Sequence, residues 1–178
     1  MKYPALLLFC VVLSLGSQAQ RFVTRDAQIS FLSETPLEDI QAESTESSVI
    51  FDMASGQLAF QVPILSFHFP KALMEEHFNE NYMESEQFPK ASFRGVVEGL
   101  DPSMEGEQLV TANGALERHG VSQDRSVAGT MVRDGDGWIL ETQFEVACVD
   151  HQIDIPKVVS ENIAEIIEVT VRAELKLK

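Results

Sequence analysis

Hydrophobic and polar residues alternate along most of this chain, in short runs separated by turn-forming residues. A period of two puts successive side chains on opposite faces of an extended strand, so these runs predict half-buried strands. Val23, Ala27, Ile29 and Phe31 mark the first run, Ser48 to Asp52 the second, and Leu58, Phe60, Val62 and Ile64 the third. Pro63 inside the third run predicts an edge, a bulge or the end of the strand, because proline donates no ladder hydrogen bond. Phe93, Val97 and Leu100 mark a fourth run, followed by Gln108 to Leu116, Arg125 to Val132 and Trp138 to Phe144. The last runs from Ile163 to Lys178, where Ile167, Val169, Val171, Ala173, Leu175 and Leu177 alternate with polar residues. Leu58, Phe60, Val62, Phe93, Val169 and Val171 are expected on or near the buried face.

Between the runs, Ser55-Gly56, His119-Gly120 and Asp134-Gly135-Asp136-Gly137 supply residues that tolerate positive φ, as hairpin turns require. Asn113-Gly114 lies inside a run, so a bulge is expected there. About eight strands at this spacing predict an all-β antiparallel sandwich or closed barrel. One segment has a different period. Leu73, Met74, His77, Phe78 and Asn81 sit at helical spacing, so Pro70 to Met83 predicts a helical insertion, which Pro89 keeps from running on. Pro156 to Ala164 predicts a short helical turn, and the acidic stretch Glu34 to Ser47 a loop.

Residues 1–19 have the features of a secretory signal peptide: Lys2, an apolar run from Ala5 to Leu15, and small residues at Ser17 and Ala19. The run is too short for a transmembrane helix, which needs about 20 apolar residues, and no later stretch is longer. Residues 20–178 are therefore expected to form one exported domain, periplasmic or secreted. With Cys10 removed, Cys148 is left alone and no internal disulfide can form. The full chain carries a net charge of −15, a surface that repels nucleic acid and anionic membranes.

Catalytic and metal patterns are missing from the sequence. Gly120-Val121-Ser122-Gln123-Asp124 lacks the second glycine of a nucleophile elbow. His68, His77, His119 and His151 are scattered, and none stands in a His-Glu-x-x-His pair. Asp134, Asp136 and Glu145 have the first, third and twelfth spacing of a calcium loop, but Ile139 occupies the position that needs glycine. The expectation is a protein without metal, cofactor or enzymatic turnover. The concentration of Phe60, Phe67, Phe69, Met74, Phe78, Tyr82, Met83, Phe88 and Phe93 is more informative. It fits either a packed aromatic core or the mouth of an adaptable apolar cavity. On the second reading, Phe67, Phe69, Met74, Phe78, Phe88 and Phe93 are the candidate ligand-binding residues, with Phe67 and Phe69 on one face and His68 on the other.

The same stretch carries a family resemblance. Gly56-Gln57-Leu58-Ala59-Phe60-Gln61-Val62, Leu73-Met74-Glu75-Glu76-His77-Phe78 and Phe88-Pro89-Lys90-Ala91-Ser92-Phe93 are similar to motifs of the YceI-like family. Asn113-Gly114-Ala115-Leu116, His119-Gly120-Val121, Phe144-Glu145-Val146, Asp150 and Ile155-Pro156 follow in matching order. The resemblance implies an extended, lipocalin-like antiparallel β-barrel of about eight to ten strands with a short helical insertion. It also implies a periplasmic binding or carrier protein for a polyisoprenoid, free or as a quinone tail, or a related lipid. Three positions depart from the family pattern: Arg118 where an apolar residue is usual, Cys148 where many members carry arginine, and Arg94 where a small residue is common. Two other readings stay open on the sequence: a filled-core, stress-related interaction module, and a hydrolase or isomerase whose residues converge only in three dimensions. Oligomeric state is not legible.

Overall fold

The computed structural model describes residues 20–178, so the expected signal peptide lies outside the described residues. Eight antiparallel strands close into a barrel in simple sequential order. They are β1 (Arg21–Glu34), β2 (Asp39–Asp52), β3 (Gln57–Pro63), β4 (Lys90–Glu98), β5 (Glu107–Arg118), β6 (Val121–Asp134), β7 (Gly137–Ala147) and β8 (Ile166–Leu177). The hairpin turns form where expected. Arg118 pairs with Val121 across His119-Gly120, and both turn residues have positive φ, 51° and 72°, matching the right-handed twist of the flanking strands. Gly135, at φ 59°, turns β6 into β7. Pro63 ends β3, after which the chain makes a single 3-10 turn over Ile64–Ser66.

The segment Glu34 to Ser47 is not a loop. It contributes the end of β1, a four-residue turn and most of β2. After Ile40, its inward positions are Ala42, Ser44 and Ser47, all buried, and small or hydroxylated residues there conceal the alternation. Ser44 is satisfied by a 2.6 Å hydrogen bond between its hydroxyl and that of Ser66. The alternation of β1 is interrupted once. The β1–β2 register shifts between Thr24 and Ala27, so Phe22 and Thr24 are buried before the irregularity, and Ala27 and Ile29 after it.

Asn113-Gly114 forms no bulge, since β5 keeps unbroken register with both neighbours. Gly114 lies directly opposite Gly95. A Cβ on Gly114 would stand 2.2 Å from the Arg94 carbonyl oxygen and 2.4 Å from the Gly95 Cα, so the two glycines allow the backbones of β4 and β5 to come together.

The helical insertion joins β3 to β4. It comprises α1 (Ala72–His77), with Lys71 at the N-cap, and a wider turn over Phe78–Tyr82, so the helix begins two residues after Pro70. Two further 3-10 turns follow, Val149–His151 and Lys157–Val159, the latter within the predicted Pro156 to Ala164 stretch. The insertion and these turns belong to one end of the barrel, where β1, β3, β5 and β7 finish. The other end is closed by a core of Phe22, Phe51, Met131, Trp138 and Leu175.

The ladder between β6 and β7 is short. It runs only from Gly129↔Thr142 to Asp134↔Gly137, leaving residues 121–128 of β6 without strand partners on β7. Side chains span the interval. Arg125 donates to the Glu145 carbonyl and lies 3.7 Å from the Asp150 carboxylate, Gln123 donates to the Asp150 carbonyl at 3.0 Å, and Thr142 donates to that of Ala128 at 2.6 Å.

Candidate functional site

Inside the barrel, between the closed floor and the helical insertion, lies a cavity of about 400 Å³. This is within the range of roughly 300–1,000 Å³ usual for small-molecule sites. Residues of all eight strands line it, β2 contributing Ile40 alone. Leu58, Phe60 and Val62 come from β3, Phe93 and Val97 from β4, and Val169 and Val171 from β8. All six positions predicted for the buried face are therefore wall residues. The interior is not completely filled, which removes the basis of the filled-core reading.

At the upper end four phenylalanine rings form one cluster. Phe78 stands 5.4 Å from Phe31, 5.8 Å from Phe67 and 5.0 Å from Phe69, measured between ring centroids. Backbone pairing places two of these rings. His68 exchanges hydrogen bonds with Glu43 of β2, its N–H donating at 2.8 Å and its carbonyl accepting at 3.2 Å. The short extended piece from Phe67 to Phe69 thus continues the wall. His68 is exposed, and the rings on either side of it line the cavity. Met74 and Phe78, four residues apart on the insertion, line it as well.

Side-chain hydrogen bonds hold the insertion over this end. The Phe69 N–H donates to the Glu75 carboxylate at 3.1 Å. Asn79 donates to the Glu75 carbonyl at 2.9 Å and accepts from the Ser85 hydroxyl at 2.6 Å. Lys71 reaches Glu38, in the β1–β2 turn, at 2.7 Å.

Phe67, Phe69, Met74, Phe78 and Phe93 thus come together on the lining, and Phe88 does not. Phe88 packs beneath the β5–β6 turn instead, 4.4 Å from the His119 ring and against Gly120. Its closeness in sequence to the aromatic cluster concealed this. Phe31 was missed as a lining residue because it lies far from that cluster in sequence; its place in the alternation of β1 was the available signal.

Polar groups on the lining are few. Its two charged side chains are Glu38, paired with Lys71, and Arg118. Arg118 continues the inward row Val110, Ala112, Leu116 of β5, while Cys148 continues the inward row Trp138, Leu140, Phe144, Val146 of β7. The two meet, so two departures from the family pattern share one place in the structure. Burial pushes the Cys148 thiol above its usual range, and the neighbouring guanidinium only partly offsets this. Behind them, His151 is 0% exposed, its Nδ1 3.3 Å from the Val121 carbonyl oxygen. Burial, and then the Arg118 charge, push its pKa below the usual histidine value. Arg94 faces away from the cavity and is exposed.

A profile of the YceI-like domain matches residues 21–175. No curated protein matches the chain. Among solved structures, the chain is similar to a polyisoprenoid binding domain from Saccharophagus degradans implicated in plant cell wall breakdown. That match has 11% identity and a TM-score of 0.76, covering 90% of this chain and 100% of the other. Burkholderia cenocepacia BcnA shows 12% identity and a TM-score of 0.69 over 84% of this chain and 95% of its own. A Campylobacter jejuni YCEI protein shows 14% identity and a TM-score of 0.56 over 77% and 84%. At these identities the likeness is one of fold.

Proposed function

Since the chain belongs to the YceI-like domain family, we propose that its barrel binds a polyisoprenoid or similar long-chain amphiphilic lipid and acts as an exported carrier or sequestering protein rather than an enzyme. The observation that carries this reading is the apolar cavity itself, floored by Leu58, Val110 and Leu140 and edged by the Phe31, Phe67, Phe69 and Phe78 cluster. Burying a methylene yields about 0.8 kcal/mol, so each five-carbon isoprene unit contributes roughly 3 to 4 kcal/mol gross. A few units exceed an association cost of about 4 to 15 kcal/mol. No reacting group has to be placed for such binding. The likeness of fold to a domain described as polyisoprenoid binding supports the ligand class.

Native mass spectrometry of the protein purified from its own source, followed by lipid extraction, tests this reading. A co-purifying lipid with a long unbranched or isoprenoid chain is the expected result. An empty protein that takes up no such lipid when supplied with it in vitro would end the proposal. Export rests on residues 1–19. Terminal sequencing of the native protein is expected to begin at Gln20, and an acylated Cys10 at the N-terminus would show a lipid anchor instead.

A further inference from the structure

Within the lipid-binding reading, on which this step rests, we propose that Arg118 is the headgroup anchor of the cavity, and that the ligand carries an anionic oxygen headgroup, a carboxylate or a phosphate. Arg118 is the last residue of β5 and points inward at the end of the barrel covered by the insertion. Below it the inward row is wholly apolar, from Leu116 to Val110. A ligand whose head met Arg118 would therefore run its chain down an apolar wall towards Leu140.

Among the described residues no carboxylate pairs with the guanidinium. Its Nε is buried and has no hydrogen-bond partner among them. None of the groups that act on its charge is a carboxylate; they are the Cys148 thiol and Arg125, a second cation. The thiol supplies no anion, because burial favours its protonated form. His151, behind it, is disfavoured as a cation by the same burial. The nearby carboxylates have partners: Asp150 faces Arg125 at 3.7 Å and Glu84 faces His119 at 2.9 Å. Glu165 is exposed, and its charge acts on Cys148 and not on the guanidinium.

Desolvation pushes the guanidinium pKa down, but from a value so far above neutrality that the charge remains. A charge in apolar surroundings is unfavourable until an opposite charge with matching hydrogen-bond geometry meets it. Arginine presents a planar fork that suits two oxygens of a carboxylate or phosphate.

Three probes of one chain length separate the possibilities: farnesol, farnesoic acid and farnesyl monophosphate, each titrated into the intact protein. The expected result is binding of at least one anion about ten-fold or more tighter than the alcohol, and the preferred anion identifies the headgroup chemistry. In Arg118→Met the ratio of anion to alcohol affinity falls to about one, while Arg118→Lys retains part of the preference. If farnesol binds the native protein as tightly as both anions, the headgroup proposal is wrong and the lipid cavity stands. If none of the three binds, the lipid reading fails as well. The contrast between alcohol and anions is read on the native protein, so the outcome does not depend on Arg118→Met folding.

Discussion

Phe78 of the helical insertion stacks on Phe31 of β1, with ring centroids 5.4 Å apart and planes 23° from parallel. One ring belongs to the cover and the other to the wall, and both line the cavity. Neither is fully buried. This separates them from a core ring such as Phe51, which is 1% exposed. Phe78→Ala and Phe69→Ala are therefore expected to weaken binding of a polyisoprenoid such as geranylgeraniol by about ten-fold or more. Their stability cost should fall below the roughly 3 to 5 kcal/mol expected for Phe51→Ala. A lipid titration and a denaturant melt on each variant make the comparison. Loss of stability on the Phe51 scale with unchanged affinity would show the cluster to be packing alone.

Replacement of Gly114 tests the close approach of β4 and β5. A Cβ at 2.2 Å from the Arg94 carbonyl oxygen meets backbone, which cannot swing aside as a side chain would. Gly114→Ala is expected to cost about 3 kcal/mol or more, at the upper end for a single substitution. Gly106 has nothing within 4 Å of the equivalent position, so Gly106→Ala carries only the strain of its positive φ, on the order of 1 kcal/mol. Chemical denaturation of the two variants should separate them clearly, and similar midpoints would refute the steric reading.

Cys148 should react slowly. Its thiol is 6% exposed, and burial holds its pKa above the usual cysteine value. The nucleophile is the thiolate, so labelling of the folded protein by a thiol reagent near neutral pH is expected to be far slower than in denaturant. The rate should rise only at a pH above that at which a free cysteine ionises. Complete labelling of the native state within the dead time would contradict this placement.

His151 should make stability depend on acid. Its folded-state pKa is lowered, chiefly by burial, so the unfolded chain binds the proton more readily. Its contribution is present in full above the unfolded value of about 6.5 and is lost as pH falls below it towards the folded-state pKa. Denaturant melts between pH 8 and 5 are expected to show the native protein losing stability through this range, with a flatter dependence in His151→Gln. Equal slopes for the two proteins would remove His151 as the source.

How much of this was legible in the sequence depended on what occupied the inward positions. β8 was plain, because Ile167, Val169, Val171, Ala173 and Leu175 are all apolar and all buried. β2 was not, because Ala42, Ser44 and Ser47 face inward and a serine does not announce burial; its hydrogen bond to Ser66 comes from 22 residues away. The register shift after Thr24, which puts Phe22 rather than Val23 in the core, leaves no mark in composition. At the site, the aromatic stretch revealed Phe67, Phe69, Met74, Phe78 and Phe93, since neighbours in that stretch are neighbours in space. The same rule misplaced Phe88 and omitted Phe31. Arg118 was visible only as an odd residue at a familiar position, and the parity of β5 then set it on the lining.

A hoop gives where a joint is not laddered, and the interval between β6 and β7 is such a place. Over residues 121–128 the circumference is closed by side chains such as Gln123, Arg125 and Thr142, with no strand ladder between β6 and β7. Such bridges can lengthen, take up water and re-form on rotamer changes alone. A ladder in the same place would have to break several aligned backbone bonds together. Widening the bore at this interval would therefore break fewer backbone bonds than widening it across a full ladder such as that between β5 and β6.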